Sequence, residues 1–208
     1  MNNTLPGQRS RVRLTKFRSA IAHYLTQPLV HLLARTPITP NAITCFGFII
    51  AIGAATLVTM GNLLVAGCLV LISGFFDVMD GALARHTNKV TRFGGILDSV
   101  LDRVAEAIVL LGILVLYAKE QSITGVLLIG LTLLSSFLVS YIRARAEALK
   151  LECNVGLFTR TERVVVLAMG LLLNQFFNSL FIALVLIVIF SFFTFGQRLF
   201  FVWQQTKK

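Results

Sequence analysis

Six long apolar stretches follow one another along the chain, and short polar connections separate them. All but the fifth hold about 20 residues or more, which is the length of a helix that crosses a bilayer. A break at Asn174 and Gln175 divides the last two stretches, which together are too long for one crossing. The pattern predicts six transmembrane helices, over 41–59, 62–83, 95–118, 123–146, 163–177 and 180–203.

The first forty residues show a different pattern, in which a basic run leads into apolar residues at helical spacing. The basic residues are Arg9, Arg11, Arg13, Lys16 and Arg18. The apolar residues are Phe17, Ile21, Tyr24, Leu25, Leu29, Leu32 and Leu33. This pattern is typical of an amphipathic helix on an anionic membrane surface. We therefore predict a cytoplasmic basic segment with an interfacial helix over 1–40, and a six-helix transmembrane domain over 41–208.

The composition is that of a membrane protein and excludes several other classes. Of the 208 residues, 56% are hydrophobic and 13% are charged, and the mean hydropathy is +0.83. A soluble domain carries roughly a quarter charged residues, so one water-soluble core cannot bury this much apolar surface. The sequence therefore predicts an all-α integral membrane protein. Cys45, Cys68 and Cys153 form no CxxC pair, and we interpret them as packing residues.

The basic residues are distributed asymmetrically between the two sides of the predicted helix bundle. Every Lys and Arg except Lys119 lies in the N-terminal segment, near the second or fourth connection, or at the C-terminal end. By the positive-inside rule, this side and both termini face the cytoplasm, which predicts a multi-pass protein of the cell membrane. The net charge is +10, but the basic residues lie between hydrophobic spans, so no nucleic-acid partner is predicted.

Four aspartates lie where the second predicted span ends and the third begins. Asp77 and Asp80 are three residues apart, and Asp98 and Asp102 are four apart, so each pair shares one helix face. A short loop joins the two helices, which are therefore expected to be antiparallel neighbours. Because carboxylates at membrane depth are costly and usually mark function, we expect all four to face one cleft.

Four carboxylates at such close range need cations to offset their repulsion. Oxygen ligands without His or Cys favour Mg²⁺ or Mn²⁺, and two such ions suit phosphoryl transfer. The alternative is a structural ion-pair network with Arg85, Arg92 and Arg103. The regular spacing of the aspartates and the glycines between them favour the metal site, which also faces the cytoplasm in this interpretation.

The stretch from Asp77 to Asp102 resembles the signature of the CDP-alcohol phosphotransferases. That signature is D-x2-D-G-x2-A-R-x8-G-x3-D-x3-D, and all eight of its fixed positions match. The resemblance implies a six-helix core with an N-terminal interfacial helix, and a homodimer. It also implies a reaction in which an acceptor hydroxyl attacks the β-phosphorus of a CDP-lipid and CMP leaves.

The resemblance further implies roles for the signature residues. Asp77, Asp80 and Asp98 would bind two divalent metal ions, and Asp102 would be both a further ligand and the general base for the acceptor hydroxyl. The residues implied to hold the CDP-lipid are Asp77, Gly81, Ala84, Arg85 and Gly94, together with Asn41 and Thr44 of a Pro-Asn-x-x-Thr stretch. For Asn41, the alternative is helix capping.

The acceptor is suggested by arginines at the predicted cytoplasmic ends of spans four, five and six. Arg143, Arg163 and Arg198 could meet beside the carboxylates and clasp a phosphate dianion through forked hydrogen bonds. This favours an acceptor that already carries a phosphate. The alternative is that these arginines only anchor the helix ends among the lipid headgroups.

The same segments are similar to those of phosphatidylinositol-phosphate synthases, in which they form the inositol-phosphate pocket. The similar segments are the run 140–147, the Glu162-Arg163 pair and the run 197–203. The resemblance implies transfer from CDP-diacylglycerol to inositol 1-phosphate, in phospholipid biosynthesis. This chain has Phe158-Thr159-Arg160-Thr161-Glu162-Arg163 where those proteins commonly have Glu-Arg-Pro-Glu-Arg. Glycerol 3-phosphate, which would give phosphatidylglycerophosphate, therefore remains the alternative acceptor.

Two alternatives come from other functional classes. A divalent-cation transporter would use the four carboxylates as part of a membrane-crossing path, but all four lie near one side and spans four to six offer no matching acid at mid-depth. A non-catalytic membrane scaffold would make no use of the carboxylates. The regular signature favours the enzyme over both.

Overall fold

The computed structural model describes residues 27, 29–153 and 155–207 and shows an all-helical protein. Six long helices follow one another within this part of the chain. They are α1 (Pro40–Thr59), α2 (Leu63–His86), α3 (Arg92–Lys119), α4 (Ile123–Ala148), α5 (Arg160–Leu173) and α6 (Ser179–Thr206). The basic run and most of the predicted interfacial helix lie outside the described residues, so that helix remains a prediction.

Each predicted apolar stretch corresponds to one of these helices, and the differences lie at the ends. The third helix begins at Arg92 rather than at residue 95, because the Thr91 side chain caps it by accepting a hydrogen bond from the Gly94 N–H. The fifth begins at Arg160 rather than at residue 163, because Thr159 and Glu162 form a capping box. Hydropathy misses both starts because the first turns carry charged residues.

Four helices in the described part of the chain are long and apolar enough to cross a membrane, namely α1, α2, α4 and α6. Helices α3 and α5 are not in this group, for separate reasons. Helix α3 carries the acidic and basic residues of the site described below. Helix α5 has 14 residues and rises about 21 Å, which is less than the roughly 30 Å of a hydrocarbon core.

The helices pack closely through small residues at their contacts. Helix α1 packs against α2 and α3, α2 against α5, and α6 against α4 and α5. At the α1–α3 contact, a Cβ on Gly112 would lie 2.8 Å from the carbonyl oxygen of Ala55. Small side chains are what allows helices to approach this closely in an apolar environment. This contact fixes α3, which carries two of the aspartates, against α1.

A short helical segment over residues 29–34 precedes α1. Its Val30 is buried in an apolar cluster with Ile43 of α1 and with Met79 and Leu83 of α2. Leu32 of the same segment is exposed. One side of this segment is therefore attached to α1 and α2, next to the ends that carry the aspartates.

Candidate active site

Three of the predicted carboxylates lie together where α2 ends and α3 begins. Asp77, Asp98 and Asp102 each offer an oxygen, and these oxygens all lie within 4.8 Å of one another. The Oδ1 atom of Asp98 is buried and has no hydrogen-bond partner among the described residues. A group of hard oxygen atoms at this separation, with a buried acceptor still unsatisfied, fits a divalent cation such as Mg²⁺ or Mn²⁺.

The fourth carboxylate, Asp80, is close to this group but has a different environment. Asp80 is buried, and its Oδ2 accepts a hydrogen bond of 2.5 Å from Oγ1 of Thr44 on α1. It borders the same narrow space as Asp77 and Asp102. The structure thus places all four aspartates around one cleft, with three at a single point and Asp80 held to one side by α1.

One large cavity opens beside Asp80 and Asp98. It has a volume of about 290 Å³ and is lined by α1, by the end of α2 and by the start of α3. Six of the seven residues that the resemblance assigns to the CDP-lipid line this cavity, namely Asn41, Thr44, Gly81, Ala84, Arg85 and Gly94. The seventh, Asp77, lies on the other side of the carboxylate group.

The environment of Asn41 separates the two interpretations of that residue. The N-cap of α1 is Thr39, whose side chain accepts a hydrogen bond of 3.3 Å from the Ala42 N–H. Asn41 instead faces Gly94 across the cavity wall, where a Cβ on Gly94 would lie 3.0 Å from Asn41 Oδ1. Helix capping is therefore done by Thr39, and Asn41 is available to line the cavity.

A second cavity, of about 300 Å³, opens on the other side of the carboxylates and is cationic on balance, because its lining holds five arginines and three carboxylates. Asp77 and Asp102 border it. Five arginines line it, namely Arg103, Arg143, Arg160, Arg163 and Arg198. The three arginines that the sequence indicated for the acceptor phosphate are all in this set, from α4, α5 and α6.

These three arginines are held to different degrees. Arg143 pairs with Glu147 at 2.8 Å, and both side chains are exposed. Arg198 is buried and donates from Nε to the carbonyl of Val155 at 2.9 Å and from Nη1 to that of Val139 at 2.5 Å. Both donate to protein groups, and Arg198 is fixed in place more firmly.

Arg163 is the most deeply buried of the three, because its side chain is 1% exposed. Its Nε and Nη2 atoms donate to Glu106 of α3 at 2.6 and 2.8 Å. Its Nη1 atom is buried without a partner among the described residues. Sequence reasoning missed Glu106, although Glu106 follows Asp102 by four residues on the same helix face.

Arg160 was also given no role by the sequence. Its Nη1 atom lies 3.0 Å from Oδ2 of Asp77 and 2.5 Å from Oδ2 of Asp102. Among the described residues, no ion pair joins the four aspartates to Arg85, Arg92 or Arg103. The alternative network is therefore absent from this part of the chain. The capping box that begins α5 was the signal that places Arg160 on its first turn.

A comparison with known families identifies the family to which the chain belongs. The family model described as CDP-alcohol phosphatidyltransferase matches residues 37–195, which include all four aspartates and every arginine of the second cavity except Arg198. The chain belongs to the CDP-alcohol phosphatidyltransferase family. It is therefore a transferase, and its apolar helices together with its family make it an integral membrane protein.

Relatives within the CDP-alcohol phosphatidyltransferases match nearly the whole chain. The archaetidylinositol phosphate synthase of Methanothermobacter thermautotrophicus is 37% identical over 196 residues, which cover 93% of this chain and 96% of the relative. The phosphatidylinositol phosphate synthase of Mycobacterium tuberculosis, solved with CDP-DAG bound, is 33% identical with a TM-score of 0.79, covering 86% of this chain and 94% of that one. The structure of that synthase with manganese and citrate has a TM-score of 0.77 at 33% identity, and the match covers 86% of this chain and 88% of that one.

Proposed function

We propose that this chain transfers the phosphatidyl group of CDP-diacylglycerol to the hydroxyl of inositol 1-phosphate, which yields phosphatidylinositol phosphate and CMP. The observation that supports this is the position of the carboxylates between two different cavities. Asp80 and Asp98 border the first cavity, and Asp77 and Asp102 border the cationic one. A donor in the first cavity and an acceptor in the second would therefore meet at the carboxylates.

The first cavity suits the CDP part of the donor. Gly81, Ala84 and Gly94 line it with little side-chain bulk, while Asn41 and Arg85 provide polar groups. The Arg85 guanidinium would offset charge on the diphosphate. Thr44 acts by holding Asp80 in place through its hydroxyl. The similar Mycobacterium tuberculosis synthase, which has been solved with CDP-DAG, supports this use of the fold.

The carboxylates would hold two divalent ions, with Asp77, Asp80, Asp98 and Asp102 as ligands. Such ions, when bound, would offset repulsion among the carboxylates and neutralise charge on the diphosphate. The similar structure with manganese supports a metal of this class. Asp102 borders the cationic cavity and would accept the proton of the acceptor hydroxyl. At the same time the hydroxyl oxygen would bond to the β-phosphorus of the donor, and the bond between that phosphorus and CMP would break.

The cationic cavity would bind the phosphate of the acceptor. Three of the five arginines already pair with carboxylates, but the cavity keeps an excess of positive charge, which a phosphate dianion would offset. Arg143, Arg198 and the unpartnered Nη1 of Arg163 are the groups that would bind it. Free inositol and serine lack the dianion. The named activities of the similar archaeal and mycobacterial synthases favour inositol phosphate over glycerol 3-phosphate.

The proposal includes the orientation of the chain in the membrane. Six spans would cross the membrane, the fifth formed by α5 together with the residues that follow it up to 177. Both termini and the two cavities would lie on the cytoplasmic side, and residues 1–40 would form the basic interfacial segment. The asymmetric distribution of the Lys and Arg residues supports this orientation. A homodimer is proposed from the family resemblance.

The experiment that tests the function is a comparison of acceptors. Purified protein in detergent receives CDP-diacylglycerol, Mg²⁺ and, in separate tubes, inositol 1-phosphate, glycerol 3-phosphate, inositol or serine, and CMP release is measured. We expect CMP only with inositol 1-phosphate, and none after chelation with EDTA until Mg²⁺ or Mn²⁺ is restored. A parallel set with an ether-linked CDP-lipid tests the donor.

The possible results separate the parts of the proposal. CMP only with glycerol 3-phosphate would replace the acceptor but keep the reaction class. Full activity in EDTA would contradict the metal assignment. No CMP in any tube of either donor set, combined with metal flux in proteoliposomes, would replace the enzyme with a transporter.

Gly94 offers a test of the donor cavity. A Cβ at this position would lie 2.8 Å from Thr91 Oγ1 and 3.0 Å from Asn41 Oδ1, so Gly94→Ala must displace the wall of the cavity. We expect the KM for the CDP-lipid to rise about tenfold, which corresponds to a loss of about 1.4 kcal/mol of binding free energy. The KM for the acceptor should change little.

The neighbouring glycine provides the control for this test. Gly95 lines the same cavity, but a Cβ there would meet no atom within 4 Å, so Gly95→Ala adds the same methyl group to the same helix turn without displacing the wall. A KM for the CDP-lipid equal to that of wild type in Gly94→Ala would show that the first cavity does not bind the donor.

A further inference from the structure

Arg160 occupies an unusual position between the two halves of the site. It borders the narrow space among Asp77, Asp80 and Asp102, and it also lines the cationic cavity. Its side chain is 23% exposed, and α5 holds it there because its capping box fixes the first turn. Arg160 can therefore respond to what binds on either side.

On the carboxylate side, Arg160 pairs with carboxylates that a metal ion would need as ligands. Its Nη1 atom lies 3.0 Å from Asp77 and 2.5 Å from Asp102, and both belong to the group of three carboxylates. The open space among these residues is only about 10 Å³, which is roughly the volume that a single water needs. A guanidinium and a divalent ion repel each other strongly at such a distance, so the two exclude one another.

On the other side, the cationic cavity would accommodate the Arg160 guanidinium once a divalent ion displaces it from the carboxylates. The Nε atom of Arg160 is buried without a partner among the described residues. Arg143, Arg163 and Arg198 line the same cavity as Arg160, and the buried Nη1 atom of Arg163 has no partner in the described part of the chain either. Without an anion, a released Arg160 would add to the repulsion among these arginines. With a phosphate dianion in the cavity, it would gain a strong partner.

We propose that Arg160 and a divalent cation are alternative partners of Asp77 and Asp102, and that the displaced guanidinium then binds the acceptor phosphate. This inference rests on the proposed function, because it uses the metal site and the acceptor cavity assigned there. Its consequence is that metal and acceptor phosphate bind cooperatively. By thermodynamic linkage, each must tighten the binding of the other by the same factor.

The test measures binding and needs no turnover. Mn²⁺ binding to the purified full chain in detergent is followed by the electron paramagnetic resonance signal of free Mn²⁺, with and without sulfate as the dianion probe. For the wild type, we expect saturating sulfate to lower the Kd for Mn²⁺ about tenfold. For Arg160→Gln, we expect Mn²⁺ to bind about tenfold more tightly without sulfate, and sulfate to change that Kd less than about twofold.

Three further variants control the measurement. Arg103→Gln removes an equal charge from the same cavity at an arginine that is not assigned to the acceptor phosphate and forms no ion pair with Asp77 or Asp102. Its Mn²⁺ affinity should therefore stay within about threefold of wild type and keep its sulfate dependence. Arg160→Lys retains the positive charge and should keep part of the competition. Asp98→Asn should lose Mn²⁺ binding, which identifies the site being measured. Sulfate also binds free Mn²⁺ weakly, but it does so equally for every variant.

Each result decides the inference. It is overturned if Arg160→Gln binds Mn²⁺ no more tightly than wild type, or if that variant keeps the full sulfate dependence while its elution in size-exclusion chromatography shows that it is folded. Wild-type protein without Asp98-dependent Mn²⁺ binding would overturn the metal site of the proposed function as well. These two failures are thus distinguishable.

Discussion

Asp102→Asn is expected to lower kcat by about 10³-fold, because general-base catalysis typically contributes 10²- to 10⁴-fold. The substitution keeps an oxygen at the same place but removes the group that would accept the proton of the acceptor hydroxyl. Binding of the CDP-lipid should remain close to wild type, because Asp102 borders the cationic cavity and does not line the first one. Single-turnover CMP release together with equilibrium binding of the donor provides the measurement.

The matched control for this prediction is Glu147→Gln. Glu147 is a carboxylate that lines the same cationic cavity, but it pairs with Arg143 and does not belong to the group of three. Its substitution should change kcat by less than about threefold, as expected for an exposed ion pair of small energy. Wild-type turnover in Asp102→Asn would remove Asp102 as the base.

Glu106→Gln is expected to give the largest loss of stability. It leaves the guanidinium of Arg163, whose side chain is 1% exposed, without its counter-charge, while Glu106 itself is 7% exposed. Breaking a buried ion pair on one side costs roughly 3–5 kcal/mol. We therefore expect a clearly lower midpoint of thermal unfolding in detergent, and activity lost together with it, because the pair joins α3 to α5.

A double variant separates the structural role of this pair from ligand binding. Glu106→Gln combined with Arg163→Met removes both charges, so much of the lost stability should return. The KM for the acceptor should nevertheless stay high, because the guanidinium of a residue that lines the cavity is then missing. If the double variant instead recovers a normal KM for the acceptor, Arg163 only joins helices and does not bind phosphate.

The helices were predictable because each apolar stretch carries its own local signal. The predicted 123–146 and the observed Ile123–Ala148 begin at the same residue, and the predicted 41–59 and the observed Pro40–Thr59 end at the same one. The all-α class is confirmed for the described residues. Hydropathy did less well at α3 and α5, since their first turns carry charged residues such as Arg92 and Arg160.

The grouping of the aspartates was predictable from the sequence for a similar reason. Asp77 and Asp102 lie on consecutive helices joined by a short loop, so local periodicity together with antiparallel packing brings them together. The partners Arg160 and Glu106 depend on long-range packing instead. Arg160 reaches Asp77 across 83 residues, and Arg163 reaches Glu106 across 57. Periodicity gives the face on which such residues lie, but not the distant helix that they meet.

The two cavities draw on different parts of the chain. The first is lined only by residues between 40 and 98, whereas four of the five arginines of the second come from residues 143–198. We therefore expect mutations in α4, α5 and α6 to change which alcohol is accepted, while the walls of the cavity proposed for the nucleotide stay intact. An ancestral gene built in this way could give rise to enzymes for new lipid headgroups by divergence of its second half alone.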